Sequence, residues 1–188
     1  MNKLLPIIAL FLISITVWAQ SDRSVFYHIN GSADFGRFQD RIELTPSVSV
    51  RIFAKTYLGV GLSTSYYSNE TAIYTNKDKV LAESKVKDKI WYFGGELFAR
   101  FIPFENKEGI IKNCFLQSSF ETLRGKGKYK DTNETYNYNT TNNTVFAGVG
   151  YKQPLNEQLG LGLLLSFKLN DEKDSIYRNP VVRVSFEF

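Results

Sequence analysis

The only histidine of the chain, His28, alternates with Asn30 and Ser32 along an extended stretch. A histidine beside a serine and a carboxylate is the apparatus of acyl transfer, in which the imidazole takes the hydroxyl proton and the carboxylate orients the ring. Without a nucleophile motif, an inward histidine on a polar wall reads as a hydrogen-bonded structural residue. No catalytic residue is therefore assigned, and a non-enzymatic protein is expected. Cys114, the single cysteine, has no nearby His or Cys, so no metal site is expected. The glycines recur at period two instead of forming a strand-to-helix phosphate loop, and no cofactor is expected.

A larger set of ionic side chains stands opposite apolar positions at two-residue spacing: Glu43, Arg51, Glu96, Arg100, Glu121, Lys152, Lys168, Arg183 and Glu187. Four acids meet five bases, close to the balance that charges withdrawn from water require. An internal charge network is the expectation, with a narrow ion path as the alternative.

The elements that carry these residues all alternate apolar with polar, the signature of half-buried strands. Ile42, Leu44, Pro46, Val48, Val50 and Ile52 share one face against Glu43, Thr45, Ser47, Ser49 and Arg51. Eight such segments follow one another: 25–33, 42–53, 57–67, 90–102, 110–123, 145–155, 159–169 and 181–188. Three connections are short (54–56, 103–109 and 156–158), whereas 34–41, 68–89, 124–143 and 170–179 are long and polar. Sorting of short turns and long loops to opposite ends is a habit of outer-membrane barrels. The tract 136–143, rich in Asn, Thr and Tyr, has the composition to extend strands beyond the bilayer and to offer an adhesive edge.

Strands in lipid cannot leave a hydrogen-bonding edge open, so the sheet must close on itself. The apolar face lacks Lys and Arg in its central stretches apart from Lys112 near one end. The polar face mixes long ions with Gly59, Gly61, Gly94, Gly148, Gly150, Gly160 and Gly162, the size alternation a narrow bore needs. The apolar face is predicted outward. Aromatic residues at strand ends (Tyr66, Tyr67 and Trp91 at one, Phe53, Tyr57, Phe101, Phe104, Tyr151 and Phe188 at the other) read as interfacial girdles.

Lys3, the apolar run 4–17 and the small residues Val17 and Ala19 form an export signal. Residues 1–19 are read as a cleavable signal peptide and 20–188 as one barrel domain. The formal net charge of +4 gives no reason to expect nucleic acid.

The fold class is thus all-β: an eight-stranded antiparallel up-and-down transmembrane β-barrel. The pattern, the stretch 44–48 followed by 57–61, and the terminal Val182-x-Val184-x-Phe186-x-Phe188 resemble the small eight-stranded outer-membrane β-barrels of the OmpA/OmpX-like group. That resemblance implies an outer-membrane location with periplasmic termini, and it implies that the barrel-assembly machinery reads Val182, Val184, Phe186 and Phe188. Lys77, Lys79, Lys85, Lys87 and Lys89 in the second loop, and Lys126, Lys128 and Lys130 in the third, are candidate contacts to lipopolysaccharide phosphates. A basic residue at an anionic membrane surface is worth on the order of 1 kcal/mol. A role in envelope structure or surface interaction through the loops is expected, with no surface partner named. A lipid A-modifying enzyme, a narrow channel and a soluble periplasmic ligand-binding barrel are the alternatives.

Overall fold

The computed structural model describes residues 25–35, 39–77, 80–130, 135–170, 176–177 and 179–188, with backbone only for those of 70–87 and for 129. The signal segment 1–19 lies outside the described residues. The described chain forms β1 (Val25–Phe35), β2 (Gln39–Phe53), β3 (Thr56–Lys77), β4 (Val80–Phe101), β5 (Cys114–Lys130), β6 (Thr135–Pro154), β7 (Gly160–Lys168) and β8 (Val181–Glu187). Each strand pairs antiparallel with its sequence neighbour, and β8 returns to β1 to close the ring. The seam pairs His28 with Glu187, Ile29 with Phe186, Asn30 with Ser185 and Gly31 with Val184. Two backbone bonds between Tyr27 and Phe188, at 3.2 and 2.9 Å, continue it to the end of the chain.

The two-residue rhythm sorts the barrel wall as expected. Val60, Leu97, Leu163 and Val184 on the apolar face are 52, 60, 53 and 44% exposed, whereas Thr45, Ser63 and Glu121 opposite are fully enclosed. The apolar face is outside and the ionic face lines the bore.

Inward glycines make that bore habitable by facing large rings. Gly59 pairs across strands with Phe98, Tyr92 with Gly125, and Phe115 with Gly150. A Cβ on Gly59 or Gly150 would stand 2.2 Å from the ring of Phe98 or Phe115, so these rings lie flat over bare backbone.

Several sequence boundaries are corrected. The connections 68–89 and 124–143 are mostly strand: β3 and β4 pair as far as Lys77 and Val80, and β5 and β6 as far as Lys130 and Thr135. β1 runs to Phe35 and β2 begins at Gln39, so 34–35 and 39–41 are strand and not loop. Polar alternation continues the ladder beyond the outward apolar band, because backbone pairing needs no apolar face. At the other end, β5 begins at Cys114; Ile110–Asn113 form a 3₁₀ turn that carries Lys112. Two presumed girdle residues point inward: Tyr57 is buried, and Tyr67 packs against an interior apolar cluster.

Candidate functional site

The bore holds three stacked layers. At the long-loop end Ile90, Tyr92, Leu123, Phe146 and Val181 form an apolar plug, completed by Ile176 and Tyr177 from the connection between β7 and β8. This inward fold of the last loop had no signal in the alternation, since 176–177 belong to no strand. Phe146 and Tyr177 meet edge to face at 5.0 Å.

Beneath the plug lies an acidic layer built around Arg183. Its guanidinium bonds Glu43 through Nε at 3.1 Å and reaches Glu96 at 3.6 Å and Glu121 at 3.5 Å. Arg41 adds a 2.6 Å pair with Glu43, and the Tyr177 hydroxyl donates to Glu121. Arg183 also stacks on Phe146 at 4.6 Å, and Arg41 on Tyr177 at 4.3 Å. Within this cluster three carboxylates share two guanidiniums. Sequence reading missed Arg41 by assigning 34–41 to a loop, although it continues the inward parity of Glu43.

The third layer gathers around Glu187, which meets Arg100 at 2.5 Å and Lys152 at 3.0 Å. Arg100 also donates to Gln117 at 3.0 Å and lies 4.0 Å from the centre of the Phe115 ring. His28 sits here, its Nε2 2.7 Å from Ser49 Oγ and its Nδ1 3.5 Å from Glu187. The order serine, histidine, carboxylate matches acyl-transfer machinery, but Glu187 is bound by two cations and its distance to the ring exceeds a hydrogen bond. Ser49 is also buried. These contacts tie β1, β2, β4, β6 and β8 together across the bore.

Of the nine ionic residues read from sequence, seven fall in these two charged layers. Arg51 does not: it is exposed at the short-turn mouth, bonded to the Tyr57 hydroxyl at 2.9 and 2.5 Å and paired with Glu105. Lys168 does not join them either; its backbone exchanges bonds with the Asn179 side chain at 3.1 and 3.2 Å. The reason is position, since both lie near strand ends, away from the bore's middle.

Outside, at the long-loop end, Lys89, Arg124, Lys126, Lys128 and Lys130 are all exposed on the outward face of β4 and β5. The register sets Lys89 opposite Lys128, Trp91 opposite Lys126 and Phe93 opposite Arg124. On the outer flanks Lys126 and Lys128 pair on β6 with Asn139 and Asn137, Lys89 and Trp91 pair on β3 with Ser68 and Tyr66, and the next outward rung on β3 and β4 pairs Glu70 with Lys87. Lys126 is level with Trp91, whose ring lies 4.9 Å from that of Tyr66, and Lys89 and Lys128 stand one step farther out. The side chains of Lys77, Lys79, Lys85 and Lys87 lie outside the described residues.

No protein-family model and no curated protein matches the chain. Among solved structures it is similar to the attachment invasion locus protein Ail of Yersinia pestis, with 8% identity over 87% of this chain and 91% of that one and a TM-score of 0.40. The N-terminal β-barrel domain of Pseudomonas aeruginosa OprF shows 15% identity over 87% and 96%, with a TM-score of 0.38. The translocator domain of the autotransporter NalP from Neisseria meningitidis shows 12% identity over 97% and 95%, with a TM-score of 0.37. With eight antiparallel strands closed in a ring, the chain has a fold similar to the small outer-membrane β-barrels of the OmpA/OmpX-like type.

Proposed function

We propose that this is a non-enzymatic, integral outer-membrane barrel whose basic outer face docks the anionic phosphates of lipopolysaccharide, leaving its strand extensions free for envelope or surface contacts. Residues 1–19 serve as the export signal, the short turns and termini face the periplasm, and Val182, Val184, Phe186 and Phe188 are the element read by the assembly machinery of a Gram-negative envelope.

One observation carries the lipid reading. Lys89 and Lys128 are directly cross-strand on an exposed face, and their partners on the outer flanks, Ser68 and Asn137, are neutral. Like charges placed opposite one another destabilise a ladder unless an anion lies between them. The Lys89–Lys128 pair stands one step beyond Trp91, and a girdle Trp at the interface would leave headgroup phosphates within its reach, which supports this reading. The strand extensions supply the contact surface: β6 pairs with β7 from Phe146 onward, the Asn143 carbonyl accepts from the Asn170 side chain at 2.7 Å, and Thr135–Asn142 face no other strand on that side among the described residues.

The competing readings fit less well. A soluble ligand-binding barrel would place its apolar face inward, whereas Leu161 and Leu163 face out. A lipid A-modifying enzyme needs its reactive groups where acyl chains are, and His28 and Ser49 lie inside the bore.

The test compares thermal unfolding in bilayers containing bisphosphorylated lipid A with bilayers of its dephosphorylated form. Wild type is expected to gain several degrees from the phosphates, and Lys89→Gln/Lys126→Gln/Lys128→Gln to lose that gain. An equal gain in both proteins would refute the basic strip as the docking face.

A further inference from the structure

The bore is open at the short-turn end, where a cavity of 360 Å³ reaches inward to His28 and Glu187. We infer that this vestibule is a binding site for a small organic anion, a flat apolar body bearing one carboxylate or phosphate. This inference is independent of the lipid-docking strip, which lies on the outer surface at the opposite end.

Charge is the first argument. Arg51, Arg100, Lys112 and Lys152 line the cavity, and among the described residues Glu105 and Glu187 are the acids that oppose them. Glu105 is engaged by Arg51, while Glu187 alone faces both Arg100 and Lys152. A second anion at the floor would complete that set, since two cations sharing one carboxylate in a confined, weakly screened space attract another.

Preorganisation is the second. Three of the four cations rest on aromatic rings: Arg100 on Phe115 at 4.0 Å, Arg51 on Tyr57 at 5.2 Å and Lys152 on Phe26 at 5.5 Å. Stacked cations keep their positions, so an incoming ligand need not order them. The same rings, with Phe26 and Tyr57 edge to face at 5.3 Å, give the cavity apolar walls that match a flat organic body. At the floor, His28 is 3% exposed, and its Nδ1 has only a long 3.5 Å approach to Glu187 among the described residues. That buried nitrogen is a polar group left for a ligand to satisfy.

Topology is the third. The acidic layer around Arg183 and the apolar plug above it fill the bore beyond the cavity. An anion entering from the short-turn end meets carboxylates and stops, so the vestibule is a pocket with one entrance.

The test uses the full barrel in lipid nanodiscs, titrated with benzoate, phenyl phosphate and the neutral isostere benzyl alcohol, while backbone amide NMR shifts are followed. Saturable shifts at Phe26, Tyr57 and Phe115 with either anion are expected, with benzyl alcohol at least about tenfold weaker. Lys112→Gln/Lys152→Gln should weaken anion binding about tenfold, and Lys107→Gln, on an exposed turn, should not. Lys112→Gln alone, which touches no network residue, should show a smaller loss and guards against a fold defect. Equal binding of benzyl alcohol, unaltered affinity in the double variant, or no saturable shifts with either anion would overturn the site. A preference between benzoate and phenyl phosphate identifies the headgroup as carboxylate or phosphate.

Discussion

Arg183 shows what a single residue does in this bore. Fully enclosed, it is shared by Glu43, Glu96 and Glu121, and the three carboxylates have only Arg41 as a second cation. Removing one partner of a buried ionic cluster leaves uncompensated charge and costs about 3–5 kcal/mol. Arg183→Met should therefore lower urea stability by that order, and adding Glu43→Gln should recover part of the loss; a single variant as stable as wild type would show that water already compensates the acids. The glycines opposite rings are equally exacting. Gly150→Ala pushes its methyl against Phe115, an overpacking cost of about 1–3 kcal/mol, and Phe115→Leu in the same chain should relieve it. Purely additive losses in that double variant would contradict the contact. At this scale the sequence was legible wherever parity ran unbroken, as at Glu96, Glu121 and Arg183. It was silent on Tyr177, which reaches Glu121 from outside any strand.

The strands themselves were readable because one face repels water and the other does not. Their outer ends were not, because beyond the apolar band both faces are polar and alternation no longer reports pairing. Segment 68–89 reads as loop by composition, yet its residues pair in register from Ser68–Lys89 to Lys77–Val80. Two consequences follow from this division of the strand. Leu163→Arg, at an outward mid-barrel position, should cost about 2–4 kcal/mol in lipid, measured by unfolding in bilayers; a neutral effect would mean the exterior is not in hydrocarbon. Deleting 70–86 should leave heat-modifiable migration on gels intact, since the seam and the six other pairings outside β3–β4 are untouched. Loss of the fast-migrating form would show that the hairpin tip is required for the barrel to form.

For the molecule as a whole, charge is divided along the axis. The Arg183 cluster holds three carboxylates against two guanidiniums, and the vestibule holds four cations against two carboxylates. Eight strands make a bore that side chains can fill, and here the fill includes an apolar plug. Planar-bilayer recordings should accordingly show no porin-level conductance; large unitary steps would mean that Tyr177 and its neighbours move aside. Sequence counting found near-neutrality overall and could not find this polarity, because one dimension does not say which ions share a level.

The floor of the vestibule is also the place where the cylinder shuts. His28 and Glu187 are register partners on the two strands that meet last along the chain, and the same carboxylate draws in Arg100 and Lys152 from farther round the wall. An open, half-threaded sheet has no such floor. A small anion would thus recognise only finished molecules, and its uptake during assembly would time the moment the two ends join.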